Sequence, residues 1–240
     1  MFSLAVTADI HAPKYLELFE KSIQSIEEPD LIILAGDTVY RNAHEQIPKV
    51  LEIVRKRFQS PIVACFGNEE WEGYEDAYRR YGDISWLDDE ALTLSIHGSR
   101  VYVVGSRGSL DRPTFWQRTH VKGIYRRYKM RVSKIDRLLR EAKGDYVLVA
   151  THYAPTYKTL EGERERAWPE MGCMKMEEVI RARRPLLWIH GHAHKSVKLA
   201  VWIGATYVIN AALPARKSIV TIDLKELKSE RLKRVWGALS

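Results

Sequence analysis

Five short segments of this sequence carry residues that can bind a metal ion. The segments are Asp9-Ile-His11, Gly36-Asp37, Gly67-Asn68, His152 and Gly191-His192-Ala193-His194. Imidazole, carboxylate and amide oxygen ligands together suit divalent ions such as Mn²⁺, Fe or Zn²⁺. Two ions about 3.5–4 Å apart can hold a phosphoryl group, generate a hydroxide nucleophile and neutralise charge on the attacking and leaving oxygens. The residue types therefore predict a site that hydrolyses phosphoesters.

Each segment alone has an ordinary structural interpretation. Asp9-x-His11 is compatible with a helix cap beside a turn, Gly36-Asp37 with a turn, and His152 with a core histidine. The pair His192-x-His194 is more specific, because two charged imidazoles so close together would repel each other whereas metal-bound imidazoles are neutral. The five segments together favour a metal site.

Short apolar runs with helical patterns between them predict the elements that position these residues, and they are typical of an α/β domain. We predict strands at 2–8, 31–35, 62–66, 92–96, 101–105, 146–151, 186–189, 199–202, 207–210 and 218–222. We predict helices at 14–26, 45–58 and 74–81. The late strands are too closely spaced for helical crossovers, which favours antiparallel pairing and a four-layered α-β-β-α sandwich of two mixed sheets.

The five segments lie at the ends of predicted strands. Each follows a predicted strand, and ligands gather at the carboxyl ends of strands in layered α/β folds. Glycine before Asp37, Asn68 and His192 allows tight turns and a close approach to an ion. Residues 9 and 194 should therefore meet in one site, where Asp37 is the natural carboxylate to bridge two ions.

The series D-x-H, G-D, G-N, H, G-H-x-H resembles the calcineurin-like metallophosphoesterase superfamily, over Asp9 to His194. The resemblance implies two divalent ions and an attack on phosphorus by a metal-bridging hydroxide. Mn²⁺ is the first choice, with Fe, Zn²⁺, Ni²⁺ and Mg²⁺ as alternatives. It places Asp9, His11, Asp37 and His194 on one metal and Asp37, Asn68, His152 and His192 on the other. Asp37, Asn68 and His152 are thereby also candidate catalytic residues.

Two further candidate catalytic residues come from comparison with the family pattern. Arg41 lies where some branches place an arginine that contacts phosphate, and a guanidinium can hold two phosphate oxygens. Glu69 replaces the usual histidine of the family's G-N-H motif, which assists the leaving group or orients the phosphate. Two nearby cations would keep Glu69 ionised, so it is a poor general acid. It either contacts the substrate or turns outward as a loop residue.

Weak protonation of the leaving group predicts a preference for phosphodiesters or phosphoanhydrides over alkyl monoesters. Two alternatives remain open. Some relatives lacking the catalytic histidine are protein-binding scaffolds, although seven retained ligands argue against that here. The basic segment 107–143, with Trp116 and Tyr125 as stacking groups, is either a solvated amphipathic helix or a nucleic-acid platform, which would make the protein a nuclease.

Composition limits the class of protein. The 240 residues are 45% hydrophobic, no linker-like stretch divides them, and a single domain over 1–240 is expected. The net charge of +7 favours anionic partners such as a phosphate ester, and Cys65 and Cys173 imply no disulfide framework. No signal peptide or membrane span is expected, so we predict a cytoplasmic protein without a membrane partner. The oligomeric state is left open.

Two segments suggest substrate contacts. The long polar stretch 155–172 directly after His152 is a candidate lid or specificity wall, or else a mobile loop. The turn Gly105–Ser109 suggests a phosphate-facing loop, although it lacks the spacing of a phosphate-binding motif.

Overall fold

The computed structural model describes residues 2–237, and the side chains of residues 2–235. The strands are β1 (Ser3–Thr7), β2 (Leu31–Ala35), β3 (Ile62–Cys65), β4 (Ile84–Leu87), β5 (Glu90–Ile96), β6 (Ser99–Ser106), β7 (Tyr146–Thr151), β8 (Leu187–His190), β9 (Ala200–Ile203), β10 (Thr206–Asn210) and β11 (Val220–Asp223). The α-helices are α1 (Leu16–Gln24), α2 (Ile47–Arg55), α3 (Glu75–Arg79), α4 (Phe115–His120), α5 (Ile124–Arg140), α6 (Lys175–Arg183), α7 (Leu213–Arg216) and α8 (Leu224–Gly237). Short 3₁₀ turns cover His44–Gln46, Tyr157–Thr159 and Glu165–Glu170.

The strands form two mixed sheets. The first has the order β11-β1-β2-β3-β4 and the second the order β5-β6-β7-β8-β10-β9. Strands β1 to β4 run parallel, as do β6, β7 and β8, whereas β5, β9 and β11 pair antiparallel at the edges. The antiparallel pairs β5–β6 and β9–β10 are the closely spaced strands in which the sequence predicts such pairing. All ten predicted strands are present, with boundaries shifted by at most two residues.

Apolar side chains fill three layers between the sheets and helices. Leu4, Ile33, Val103 and Leu148 belong to a buried cluster between the two sheets. A second cluster packs α1 and α2 on the outer face of the first sheet, and a third packs α5 and α6 on the outer face of the second. The α-β-β-α sandwich predicted from the sequence is confirmed.

Several elements are not among those assigned from the sequence. Strand β4 extends the first sheet through pairing of Ile84 with Ile62, although the sequence analysis left this segment unassigned. The segment 175–183, also unassigned, forms α6, and the chain after β11 continues into α8. The helix predicted within 107–143 is present as α5, and the shorter α4 precedes it, with Gly123 in a left-handed conformation at the start of α5. Within residues 2–237, no helix combines the length and apolarity needed to span a bilayer.

Both cysteines are buried and free. Cys65 ends β3 and Cys173 precedes α6. Burial raises the pKa of both thiols above the ordinary value. Neither forms a disulfide.

Candidate metal centre

Five strand ends bring the predicted ligands to one edge of the sandwich. Asp9 and His11 follow β1, Asp37 follows β2, and Asn68 follows β3, so the first sheet supplies four of the seven residues. His152 follows β7, while His192 and His194 follow β8 in the second sheet. Parallel strands end at the same side of a sheet, which explains why these distant residues converge.

One cluster joins Asp9, His11 and His194. The Nε2 atom of His194 lies 2.9 Å from Asp9 Oδ1, and the Nε2 atoms of His11 and His194 are 3.4 Å apart. The backbone N–H of His192 donates to the second oxygen of Asp9 at 2.9 Å, which fixes the carboxylate. Three donor atoms therefore converge within the reach of a single ion.

The other cluster joins Asp37, His152 and His192. The Nε2 atom of His152 lies 3.3 Å from Asp37 Oδ2 and 3.0 Å from Asn68 Oδ1, so Asn68 borders this cluster. The Nδ1 atom of His152 lies 3.1 Å from the carbonyl oxygen of Ala35. When the ring is neutral and Nδ1 donates its proton to that carbonyl, the Nε2 lone pair faces two oxygens, which is the form of the ring that binds a metal. A cation between these lone pairs would remove their repulsion, so the donor set fits a metal ion.

Three glycines make room for ligands that come from other strands. A Cβ atom on Gly36 would lie 2.7 Å from Nδ1 of His152, and one on Gly191 would lie 2.5 Å from Oδ2 of Asp9. A Cβ on Gly67 would overlap the carboxylate of Asp37. From their positions in the sequence, these glycines are predicted to allow tight turns and a close approach to an ion. In the structure their closest neighbours are ligand side chains.

Burial and mutual charge shift the pKa values of the clustered groups. Burial opposes a charge on His152, but the carboxylates of Asp37 and Asp9 outweigh it and raise its pKa to about 9. Burial lowers the pKa of His192 to about 3, with His152 contributing in the same direction. Burial would raise the pKa of Asp9, yet its bond to His194 and the nearby histidines hold it below the ordinary value. Metal ligands must be deprotonated, so an ion here competes with a proton on His152.

The loops after β2 and β3 are joined by two adjacent glutamates. The buried carboxylate of Glu70 accepts hydrogen bonds from the backbone N–H groups of Asp37, Val39 and Gly67 at 2.9, 3.2 and 2.7 Å. The carboxylate of Glu69 accepts from the backbone N–H of Arg41 at 2.7 Å. Glu69 therefore binds the neighbouring loop, an arrangement that the sequence analysis did not consider.

Arg41 lies on the exposed side of the same loop. Its guanidinium is 5.1 Å from the ring centroid of Tyr40, and the Tyr40 ring is 6.0 Å from that of His11 in an edge-on arrangement. The side chain is thus close to the first cluster without belonging to it. The structure brings the seven predicted ligands together and leaves Arg41 at their border.

Arg107 corrects the interpretation of the turn Gly105–Ser109. Its side chain is 4% exposed and donates to the carbonyl oxygens of Gly67 and Glu70, with Glu75 2.9 Å away. The residue therefore points into the protein and does not face a phosphate. Sequence reasoning missed this, because burial of a guanidinium depends on partners more than thirty positions away.

His190 is a buried histidine outside both clusters. Its Nδ1 lies 2.8 Å from the carbonyl oxygen of Gly191, and its Nε2 lies 2.8 Å from the hydroxyl of Thr159. Burial lowers its pKa to about 4. This neutral ring links the start of the His192–His194 loop to the segment 155–172. In the same segment, the carboxylate of Glu163 accepts a hydrogen bond from the backbone N–H of Lys195 at 2.7 Å. The segment therefore supports the His192–His194 loop.

Comparisons with known proteins agree with this geometry. The family model for calcineurin-like phosphoesterase matches residues 2–196. The fold and the clustered ligands define a metallophosphoesterase, and the chain belongs to the calcineurin-like phosphoesterase family. It is therefore a metal-dependent phosphoesterase. No match was found among curated proteins.

Solved structures share the fold at low sequence identity. A phosphopantetheinyl hydrolase from Mycobacterium tuberculosis aligns with a TM-score of 0.64 at 12% identity, covering 90% of each chain. A dimetal phosphatase from Danio rerio aligns with a TM-score of 0.56 at 12% identity, covering 92% of this chain and 91% of that one. A putative 5′-nucleotidase from Staphylococcus aureus has a TM-score of 0.56 at 19% identity, but this chain covers only 48% of it.

Proposed function

We propose that this protein hydrolyses phosphodiester or phosphoanhydride bonds at a dinuclear metal centre. The position of Asp37 carries the proposal. Its Oδ2 atom lies 3.8 Å from Nε2 of His11 in one cluster and 3.3 Å from Nε2 of His152 in the other. One carboxylate oxygen between two groups of donors suits a ligand shared by two ions.

Each residue of the proposed site has a separate role. Asp9, His11 and His194 would hold one ion, Asn68, His152 and His192 would hold the other, and Asp37 would be shared by both. Two divalent ions, when bound, supply an activated water and neutralise charge on the phosphoryl oxygens. Arg41 contributes a guanidinium that can reach from the loop border to a phosphate oxygen. Mn²⁺ is the metal we propose, in keeping with the mixed donor set.

The choice of a diester or anhydride rests on Glu69. This residue occupies the place of the family's histidine, and one of its carboxylate oxygens already accepts the backbone N–H of Arg41. A side chain that acts as an acceptor in that position does not donate a proton to a departing alkoxide. Substrates whose leaving groups need no proton should therefore react fastest.

Hydrolysis of two nitrophenyl esters tests the proposal. Metal-stripped protein is assayed with bis-p-nitrophenyl phosphate and p-nitrophenyl phosphate after adding Mn²⁺, Mg²⁺, Zn²⁺ or Ni²⁺. We expect turnover of the diester that requires metal and disappears in Asp37→Ala but not in the control Asp83→Ala, whose side chain is 59% exposed. Stoichiometric metal binding without turnover of either ester would instead favour a scaffold.

A further inference from the structure

A cavity of about 700 Å³ lies beside the second metal cluster. Gly67 and Asn68 form part of its lining, and so does Tyr153, whose ring is 5.0 Å from that of His192 in an edge-on arrangement. Pockets for small molecules commonly have volumes of about 300–1,000 Å³. A substrate whose phosphate lies at the metal centre could therefore place one of its ester groups in this cavity.

Aromatic side chains from two separate segments surround the mouth of the cavity. Trp71 and Tyr74 follow β3 and are 51% and 48% exposed, while Trp116 in α4 is 62% exposed. Exposed aromatic residues gathered around one cavity are typical of a binding site. The ring of His120 stacks on Trp116 at 4.9 Å and 18°, which supports the indole from one side. A capping box between Thr114 and Gln117 fixes the start of α4.

Two arginines in the wall form ion pairs with nearby carboxylates. Arg107 lies 2.9 Å from Glu75, and Arg131 lies 3.0 Å from Glu72 and 3.6 Å from Asp89. Both arginines are buried. The two arginines that line the cavity are thus already paired with carboxylates. The cavity favours a planar, uncharged group over a polyanionic chain.

Polar groups accompany the aromatic rings inside the cavity. Gln117, Tyr128 and Tyr153 line it together with the apolar side chains of Val121 and Ile124. Amides and hydroxyls can hydrogen-bond to the edge of a heteroaromatic ring while aromatic side chains stack on its face. This combination suits a nucleobase better than a purely apolar ring.

We propose that the cavity binds a nucleobase of the substrate, stacked against Trp71 and Trp116, and that the substrates are mononucleotide esters or anhydrides. The catalytic part of this inference rests on the proposed function, because it assumes that the phosphate lies at the metal centre. Binding of the base itself is independent of hydrolysis.

Two esters that differ only in the base test the catalytic part. The value of kcat/KM is compared for the p-nitrophenyl ester of thymidine 5′-phosphate and the same ester of abasic deoxyribose 5-phosphate. We expect the native protein to prefer the thymidine ester by about tenfold or more, and Trp71→Ala or Trp116→Ala to lose about tenfold of that preference. Trp116→Phe should retain most of it. The control Tyr125→Ala, an exposed aromatic outside the cavity, should keep the full preference. Equal preference in all variants would overturn the proposal.

Equilibrium dialysis of adenosine against metal-stripped protein separates the two proposals. Adenosine should bind the native protein and Tyr125→Ala equally, and Trp71→Ala and Trp116→Ala at least about fivefold more weakly. That result supports the nucleobase site even if neither ester is hydrolysed, in which case only the proposed function fails. Equal binding of adenosine and ribose overturns the site. A single-stranded oligonucleotide that binds far more tightly than thymidine 5′-phosphate, and weakens steeply with salt, overturns the mononucleotide class in favour of a nuclease.

Discussion

Glu70 shows how one residue can hold the shape of the metal centre without binding a metal. It accepts three backbone N–H groups, from Asp37, Val39 and Gly67, and all are buried with it. The sequence places Glu70 beside Asn68, but nothing in the sequence indicates that its carboxylate faces three donors from two loops. Such roles depend on the folded path of the backbone, which is why motif comparison identifies ligands more readily than the groups supporting them.

Replacing Glu70 should destabilise the protein strongly. Each buried N–H left without a partner costs about 1–3 kcal/mol, so we expect Glu70→Ala to lower the free energy of unfolding by about 3 kcal/mol or more. Urea denaturation measures the change. The exposed Glu52→Ala, which removes only an ion pair with Lys56, should leave the midpoint almost unchanged. Equal midpoints for both variants would contradict the structural role of Glu70.

Glu69 allows a sharper test of leaving-group chemistry. Glu69→His restores the residue that the family pattern has at this position. We expect the variant to gain roughly tenfold or more on alkyl phosphodiesters, because general acids typically contribute about 10²–10⁴-fold, and little on aryl diesters. The slope of log kcat/KM against leaving-group pKa measures this, and the slope should become shallower. Glu69→Gln, which keeps an oxygen to accept from Arg41, should leave the slope unchanged. An unaltered slope in Glu69→His would count against the argument.

At the scale of elements, periodicity was sufficient for the strands because most are short apolar runs ending in polar residues. β4 was not assigned from the sequence because it is only four residues long, which gives a periodic pattern little to act on. Its strand character comes from pairing with β3. The segment that forms α6 is rich in charged residues, and one buried face packs on the second sheet. Tertiary contacts therefore determine the secondary structure of both segments.

The close contact between Gly67 and Asp37 predicts a severe effect for a small substitution. Gly67→Ala should displace Asp37 from between the two clusters, since the added Cβ would overlap its carboxylate. A displacement of about 1 Å at a reacting centre can cost about 10²-fold in rate, so we expect at least that loss in kcat/KM. Metal affinity, followed by calorimetry, should fall as well.

Gly82→Ala is the matched control for this substitution. A Cβ on Gly82 would meet no heavy atom within 4 Å, and its backbone is not left-handed. It should retain native activity and metal affinity. Comparable activity in Gly67→Ala and Gly82→Ala would mean that the loop adjusts and that the contact does not position Asp37.

At the scale of the molecule, the predicted metal ligands come from both sheets. Asp9, Asp37 and Asn68 follow strands of the first sheet, whereas His152 and His192 follow strands of the second. The sequence predicted this convergence, because layered folds gather ligands at strand ends. It could not give the contacts across the sandwich, such as the bond between Asp9 and the backbone of His192.

Metal binding should therefore stabilise the whole sandwich. A ligand at 100 times its Kd adds about 2.7 kcal/mol to the free energy of unfolding, and for about 150–250 residues each kcal/mol raises Tm by about 2–4 °C. We expect saturating Mn²⁺ to raise Tm by roughly 5–10 °C over metal-stripped protein in a thermal melt. Asp37→Ala should show a much smaller rise. An equal rise of Tm in the native protein and in Asp37→Ala would mean that the stabilising ion binds elsewhere.

The buried thiol of Cys65 offers a way to watch the sandwich open. It ends β3, two residues before Gly67, and is inaccessible to reagents in the native fold. In the Cys173→Ser variant, an aromatic disulfide reagent should label Cys65 only during rare openings of the fold. If those openings release the ions, bound Mn²⁺ should slow the labelling in proportion to its occupancy. The labelling rate would then report how often the two sheets part, under conditions where a thermal melt shows nothing but folded protein.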